Sequence, residues 1–128
     1  FRGIEEEGEG TVIMGAVKVK EINLEKGNPT VDAALKNLVN EMSTAKRTGY
    51  KAVILIHGYG SSGNGGAIKS AVKVKLREPM FSGIVRSLAG GEEWNERKRE
   101  FLDACSQLRD FSKYIEGNKG VTVVLFKQ

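Results

Sequence analysis

His57 is the single histidine of a 128-residue chain, and five of the sixteen glycines follow it within nine residues, in IHGYGSSGNGG from Ile56 to Gly66. An imidazole titrates near neutrality and can move a proton. Glycines let backbone N–H groups approach a ligand closely, and Ser61, Ser62 and Asn64 add side-chain donors and acceptors. Free N–H groups at a helix start, reinforced by a dipole of about half a positive charge, make a cradle for phosphate. The alternative is a plain turn that needs glycine only for its backbone angles, with His57 a satisfied polar residue at a strand end.

Three nucleotide and hydrolase templates can be compared with this stretch. Gly58, Gly60 and Gly63 spell GxGxxG, but the acidic ribose partner of a dinucleotide fold is missing from IVRSLAG, the next strand candidate. No GK[ST] follows the glycines, which excludes a Walker loop. VILIHGYG looks like an HGxG oxyanion strand end. No GxSxG elbow exists, however, and one histidine cannot serve both an oxyanion turn and a catalytic triad.

The elements that must hold this stretch are legible from periodicity. TVIMGAVKVKEINL, residues 11–24, is rich in valine and isoleucine and reads as a strand that ends near Leu24. Thr30 is placed to cap a helix in which Val31, Leu35, Leu38, Met42 and Ala45 recur at helical spacing until Gly49. KAVILIHG, residues 51–58, is an apolar run too short for a helix and suits a central strand buried on both faces. The glycine stretch therefore follows a strand's carboxyl end, where ligands bind in open α/β sheets. A second helix is expected from Gly65 to Glu78, then a strand at 84–90 and a last strand at 121–126. Between those strands Phe101, Cys105, Leu108, Phe111 and Ile115 recur at helical spacing and predict a third helix. The order is β-α-β-α-β-α-β, an α/β arrangement with right-handed crossovers.

Lys69, Lys73 and Arg77 form a row on the second helix, and Lys46, Arg47 and Lys51 cluster between the first helix and the second strand. Such rows follow a phosphate backbone without sequence preference, although a solvated face has the same look. Twenty lysines and arginines against sixteen acidic residues give a net charge of +4, which permits anionic partners without demanding them. The length admits one domain with one insertion. Residues 1–10 read as an acidic, glycine-rich linker or the start of a fragment, and 11–128 as the domain, with a helical insertion at about 91–118. A lone cysteine, Cys105, reads as a buried small hydrophobe in a reducing, cytoplasmic setting, and no apolar run is long enough for a membrane. Trp94 lies among Arg97, Lys98 and Arg99, where it either packs or stacks on a base.

His57-Gly58-Tyr59-Gly60, with the following SSGNGGAIKSAVKVKL, resembles the second signature of the Smr (small MutS-related) domain, in which an HGxG or TGxG turn leads into a glycine-rich helix start. The resemblance extends to element order over about residues 17–126. It implies a two-layer α/β sandwich with a mixed four-stranded sheet, similar to the C-terminal domain of a translation initiation factor. It also implies DNA or RNA as partner, endonuclease activity in several members, and a place within a larger multidomain protein. The phosphate would be held by Gly58, Tyr59, Gly60, Ser61, Ser62 and Asn64 and by Lys69, Lys73 and Arg77. Tyr59 would be available to stack on a base.

The family's other signature, LDxH, is replaced here by Ile22-Asn23-Leu24-Glu25. Asn23 lacks a fixed charge and Glu25 lacks imidazole chemistry, so neither metal binding nor proton transfer carries over directly. His57, and after it Glu25, are the candidates for catalysis. A divalent metal is the expected cofactor only if cleavage is retained. The expectation is a nucleic-acid-binding domain with weakened or lost cleavage. The alternatives are a protein-interaction module that uses the inserted helix, or a small enzyme acting on a phosphorylated ligand.

Overall fold

The computed structural model describes residues 17–59 and 65–128. Four strands, β1 (Val19–Asn23), β2 (Ala52–Ile56), β3 (Val85–Gly90) and β4 (Val121–Phe126), form one sheet in the order β1-β2-β4-β3. β1 runs parallel to β2, whereas β4 is antiparallel to both β2 and β3, so the sheet is mixed as expected. The central strands β2 and β4 are covered on both faces, which is why AVIL and VTVVLF are nearly continuous buried runs. The expected first strand is shorter than 11–24, and its residues 11–16 lie outside the described part.

Helix α1 (Val31–Thr48) starts where Thr30 Oγ1 accepts the Ala33 N–H at 3.1 Å. It stops where Gly49, at φ +98°, donates its N–H to the carbonyls of Ala45 and Lys46. Its buried stripe is Ala34, Leu38, Met42 and Ala45, with Val31 and Leu35 only half-buried at the rim. Helix α2 (Gly65–Leu76) buries Ile68, Val72 and Leu76 beside it. Both helices cover the sheet face presented by Ile22, Val53, Leu55, Val124 and Phe126. This is the expected two-layer unit.

The insertion adds a third layer on the opposite face. There, Ala52, Ile54, Val123 and Leu125 meet Trp94, Phe101, Cys105, Leu108 and Ile115. The expected single third helix is interrupted: α3 (Trp94–Ala104) ends at Cys105, which is extended at φ −145°, and a 3-10 segment (Ser106–Phe111) leads into the one-turn α4 (Ser112–Ile115). A straight helix over residues 95–115 would be about 31 Å long, against about 20 Å for a six-residue strand. The break at Cys105 turns the chain back so that one apolar stripe stays on the sheet. Trp94 is fully buried, edge-on to Phe101 with ring centroids 5.5 Å apart, and its indole N–H donates to Ser112 Oγ at 2.8 Å. Its role is packing, and it is not placed to stack on a base.

Gly91 lies between β3 and this layer, where a Cβ would overlap the backbone carbonyl oxygens of Ile115 and Asn118. Backbone atoms cannot step aside as a side chain can. Chemical denaturation is therefore expected to show Gly91→Ala destabilised by about 1–3 kcal/mol and Trp94→Ala by about 3–5 kcal/mol. Arg99→Ala, at an exposed position of α3, should stay within about 0.5 kcal/mol of the parent.

Candidate nucleic-acid interface

β1, β2 and β3 end, and β4 begins, at one edge of the sheet, because Asn23 pairs with Ile56, Ile56 with Val121 and Gly90 with Thr122. The segments after β1, β2 and β3 and the one before β4 therefore meet there. Leu24 extends the ladder by donating its N–H to the Ile56 carbonyl at 2.7 Å. Asn23 Oδ1 then accepts the N–H groups of both Glu25 and Lys26 at 3.0 Å, closing a tight turn. Asn23 is thus occupied with shaping the backbone. The turn carries the Glu25 carboxylate over Gly58, where an added Cβ would overlap it. The Glu25 side chain could swing aside, but Gly58 also has φ +71°, and that backbone angle is what favours glycine there.

His57 is fully buried, and the backbone N–H groups of His57 and Gly58 both donate to the Gly120 carbonyl, at 2.9 and 3.0 Å. Its ring Nδ1 lies 2.5 Å from the Gly58 carbonyl oxygen and its Nε2 lies 2.8 Å from Thr122 Oγ1. A carbonyl only accepts, so Nδ1 carries the proton, and the neutral ring accepts the Thr122 hydroxyl proton at Nε2. Burial pushes the imidazole pKa below the ordinary 6.5. The Gly58 carbonyl and the Glu92 charge oppose that shift, and the charges of Lys69 and Lys73 add to it. Proton transfer from His57 to a bound substrate would require one of its two ring hydrogen bonds to open. The Gly58 N–H, expected to face a phosphate, is spent on Gly120.

Tyr59 points outward with 60% of its surface exposed, which leaves its ring accessible for stacking. Gly60, Ser61, Ser62 and Asn64, all candidate phosphate contacts, lie outside the described residues. Lys69 stands one turn into α2, and its Nζ is 2.8 Å from Glu92 Oε2. Lys73 is half-buried one turn further on and Arg77 is exposed beyond the helix end, about 12 Å from Lys69 along the axis. The row therefore leads away from the loops, as its spacing requires. Lys46, Arg47 and Lys51 do not join it: they sit where α1 ends and β2 begins, at the other end of the sheet. There Lys46 Nζ donates to the Lys127 carbonyl.

Four residues that the sequence reading did not single out complete the site. Thr122 holds His57, and its one signal was a hydroxyl inside an otherwise apolar strand. Asn118 joins the Tyr114 carbonyl, 3.2 Å from Nδ2, to the Gly120 N–H, 2.9 Å from Oδ1. Tyr114 of α4 stands near the Glu25 turn. Burial first, and the charges of Glu21 and Glu25 second, push its phenol pKa up. Glu92 comes from the segment after β3. No group of three or more His, Cys, Asp or Glu side chains comes together among the described residues.

His57 titrates alone in its range, since the chain has no other histidine. Because its folded pKa lies below 6.5, the unfolded chain binds more protons just under that pH. Its contribution to stability is complete above pH 6.5 and is lost as pH falls through the folded value. Urea unfolding between pH 8 and 5 should therefore show a decline below about pH 6.5 in the parent that is missing from His57→Gln. Thr122→Val, which strands a buried ring nitrogen, should cost about 1–3 kcal/mol, and Thr122→Ser should recover most of it.

The family model of the Smr domain matches residues 26–127. Among solved structures, the Smr domain of Thermus thermophilus MutS2 matches with 27% sequence identity and a TM-score of 0.54, covering 85% of this chain and 99% of that one. No curated protein sequence gives a significant match. Among the described residues no helix is long and apolar enough to cross a membrane. The matched span runs from Lys26 through His57 to the end of β4, and the chain belongs to the Smr domain family.

Proposed function

We propose that this Smr domain binds the sugar-phosphate backbone of DNA or RNA at the sheet edge where β1, β2 and β3 end. The observation that carries this reading is the His57 loop itself. His57 and Gly58 are fixed by Thr122 and Gly120, Tyr59 beside them is exposed, and α2, which begins at Gly65, carries Lys69 and Lys73 on successive turns. Backbone contacts by lysine act on any sequence, and an exposed aromatic adds stacking on an unpaired base. Family membership supports the same partner.

The geometry favours holding over cutting. Asn23 is bound into the turn, His57 has both ring nitrogens engaged, and Glu25 is the remaining titratable group of the candidate pair. His57 is accordingly read as a positioning residue for the loop. The inserted helices spend their apolar stripe on the sheet, so nothing in their packing favours a separate docking module.

Fluorescence anisotropy with labelled single-stranded DNA, duplex DNA and RNA should give affinities that fall linearly with the logarithm of salt concentration. Changing both Lys69 and Lys73 to Ala should weaken binding on every sequence alike and flatten the salt slope by about 0.7 to 0.9 for each phosphate that is no longer neutralised. Tyr59→Ala should cost about 1–3 kcal/mol on single strands and less on duplex. Affinity absent at low salt, or untouched by the lysine changes, would remove the reading. Supercoiled plasmid and structured RNA, incubated with and without Mg²⁺, should yield no product that disappears in His57→Ala.

A further inference from the structure

We infer that Glu92 is an internal competitor for phosphate at Lys69: its carboxylate holds the ammonium group that a nucleic-acid phosphate would otherwise take. The inference rests on the phosphate-binding reading above and adds a residue that tunes it. Lys69 is the first cation of α2 beyond the glycine loop, and its Nζ lies 2.8 Å from Glu92 Oε2, with the two side chains 16% and 32% exposed. The pair is thus partly shielded from solvent. A lysine paired with a carboxylate contributes little net charge to a polyanion, so a phosphate must displace Glu92 to gain the full contact.

The backbone around Glu92 is shaped to aim it at Lys69. Gly91 fits closely against the carbonyls of Ile115 and Asn118, which fixes where the segment leaves β3. Gly90 leaves room for the Glu92 side chain to fold back, since a Cβ there would sit 2.5 Å from Glu92 Oε1 and 3.0 Å from its carboxyl carbon. The Gly90 N–H donates to Glu93 Oε1 at 2.9 Å and closes the turn. Burial alone would raise the Glu92 carboxyl pKa. The hydrogen bonds from Lys69 and from its own backbone N–H, with the charges of Lys69 and Lys73, outweigh that and hold it below the usual carboxylate range. The competitor is therefore ionised at neutral pH. Moving it aside takes only side-chain rotation, because the segment itself stays fixed by Gly91.

Two substitutions remove the competition by different routes. Glu92→Gln removes the charge. Gly90→Ala keeps the charge but pushes the carboxylate off its position, and the Gly90 angles of φ −70° and ψ 157° suit alanine. Glu96→Gln, on α3 and outside the pair, makes the same change in net charge and serves as control. Binding of the whole chain to a short labelled single-stranded DNA would be measured across a salt series, after thermal melts confirm that each variant is folded.

Glu92→Gln is expected to bind about two- to fivefold tighter at low salt, with a salt slope steeper by about 0.7. Gly90→Ala should move both quantities in the same direction, and Glu96→Gln should move neither. In a Lys69→Met background the gain from Glu92→Gln should vanish. Salt-dependent binding by the parent that neither Glu92→Gln nor Gly90→Ala strengthens would overturn the inference and leave the binding reading standing. A gain that persists in Lys69→Met would likewise overturn it, as a general charge effect. If neither the parent nor Glu92→Gln binds at low salt, the inference and the reading fall together.

Discussion

The clasp between His57 and Thr122 is the interaction on which the site depends. It joins the carboxyl end of β2 to the start of β4 through a buried hydrogen bond, while the Gly120 carbonyl takes two consecutive N–H groups from the His57 loop. For those bonds to form, the backbones at Gly58 and Gly120 must nearly touch: a Cβ on Gly120 would stand 3.3 Å from the Gly58 Cα. Once they do, the direction in which the chain leaves β2 toward Tyr59 is set. A buried polar pair of this kind is costly to leave half-satisfied. His57 and Gly58 are therefore held from beneath by β4 and the residue that precedes it.

The insertion takes part in both fold and site. It covers a sheet face that would otherwise expose Ile54, Val123 and Leu125 to water, and the segments that tie it to β3 and β4 supply Glu92, Tyr114 and Asn118. One wall of the loop cluster thus comes from the part of the chain that looked least like a typical member. Its charge is not uniform, since Glu92 and Glu25 face the loop alongside Lys69 and Lys73. Carboxylates placed there moderate a cationic surface and set how steeply binding responds to salt.

Elements with strong local signals were readable from sequence: Thr30 and Gly49 bound α1, and the apolar runs of β2 and β4 are buried strands. The placement of His57 and its glycines beyond a strand end was readable for the same reason. What the sequence could not supply were partners set by register. Thr122 meets His57 because β4 pairs antiparallel with β2 from Val121 opposite Ile56, a contact across 65 residues that no local pattern encodes. The break at Cys105 was hidden because the apolar residues on either side keep helical spacing, and the comparison of helix length with strand length becomes visible only once the sheet is known. The separation of Lys46, Arg47 and Lys51 from the glycine loop follows from strand length, which charge counting ignores.

Amide and side-chain NMR of the labelled protein, titrated with a short single-stranded oligonucleotide at low salt, tests the central claim most directly. Binding at the His57 edge predicts shifts concentrated at Glu25, Tyr59, Lys69, Lys73 and Glu92, with Lys46, Arg47 and Lys51 unmoved. Shifts centred on the Lys46 end of the sheet, or none at all, would contradict it.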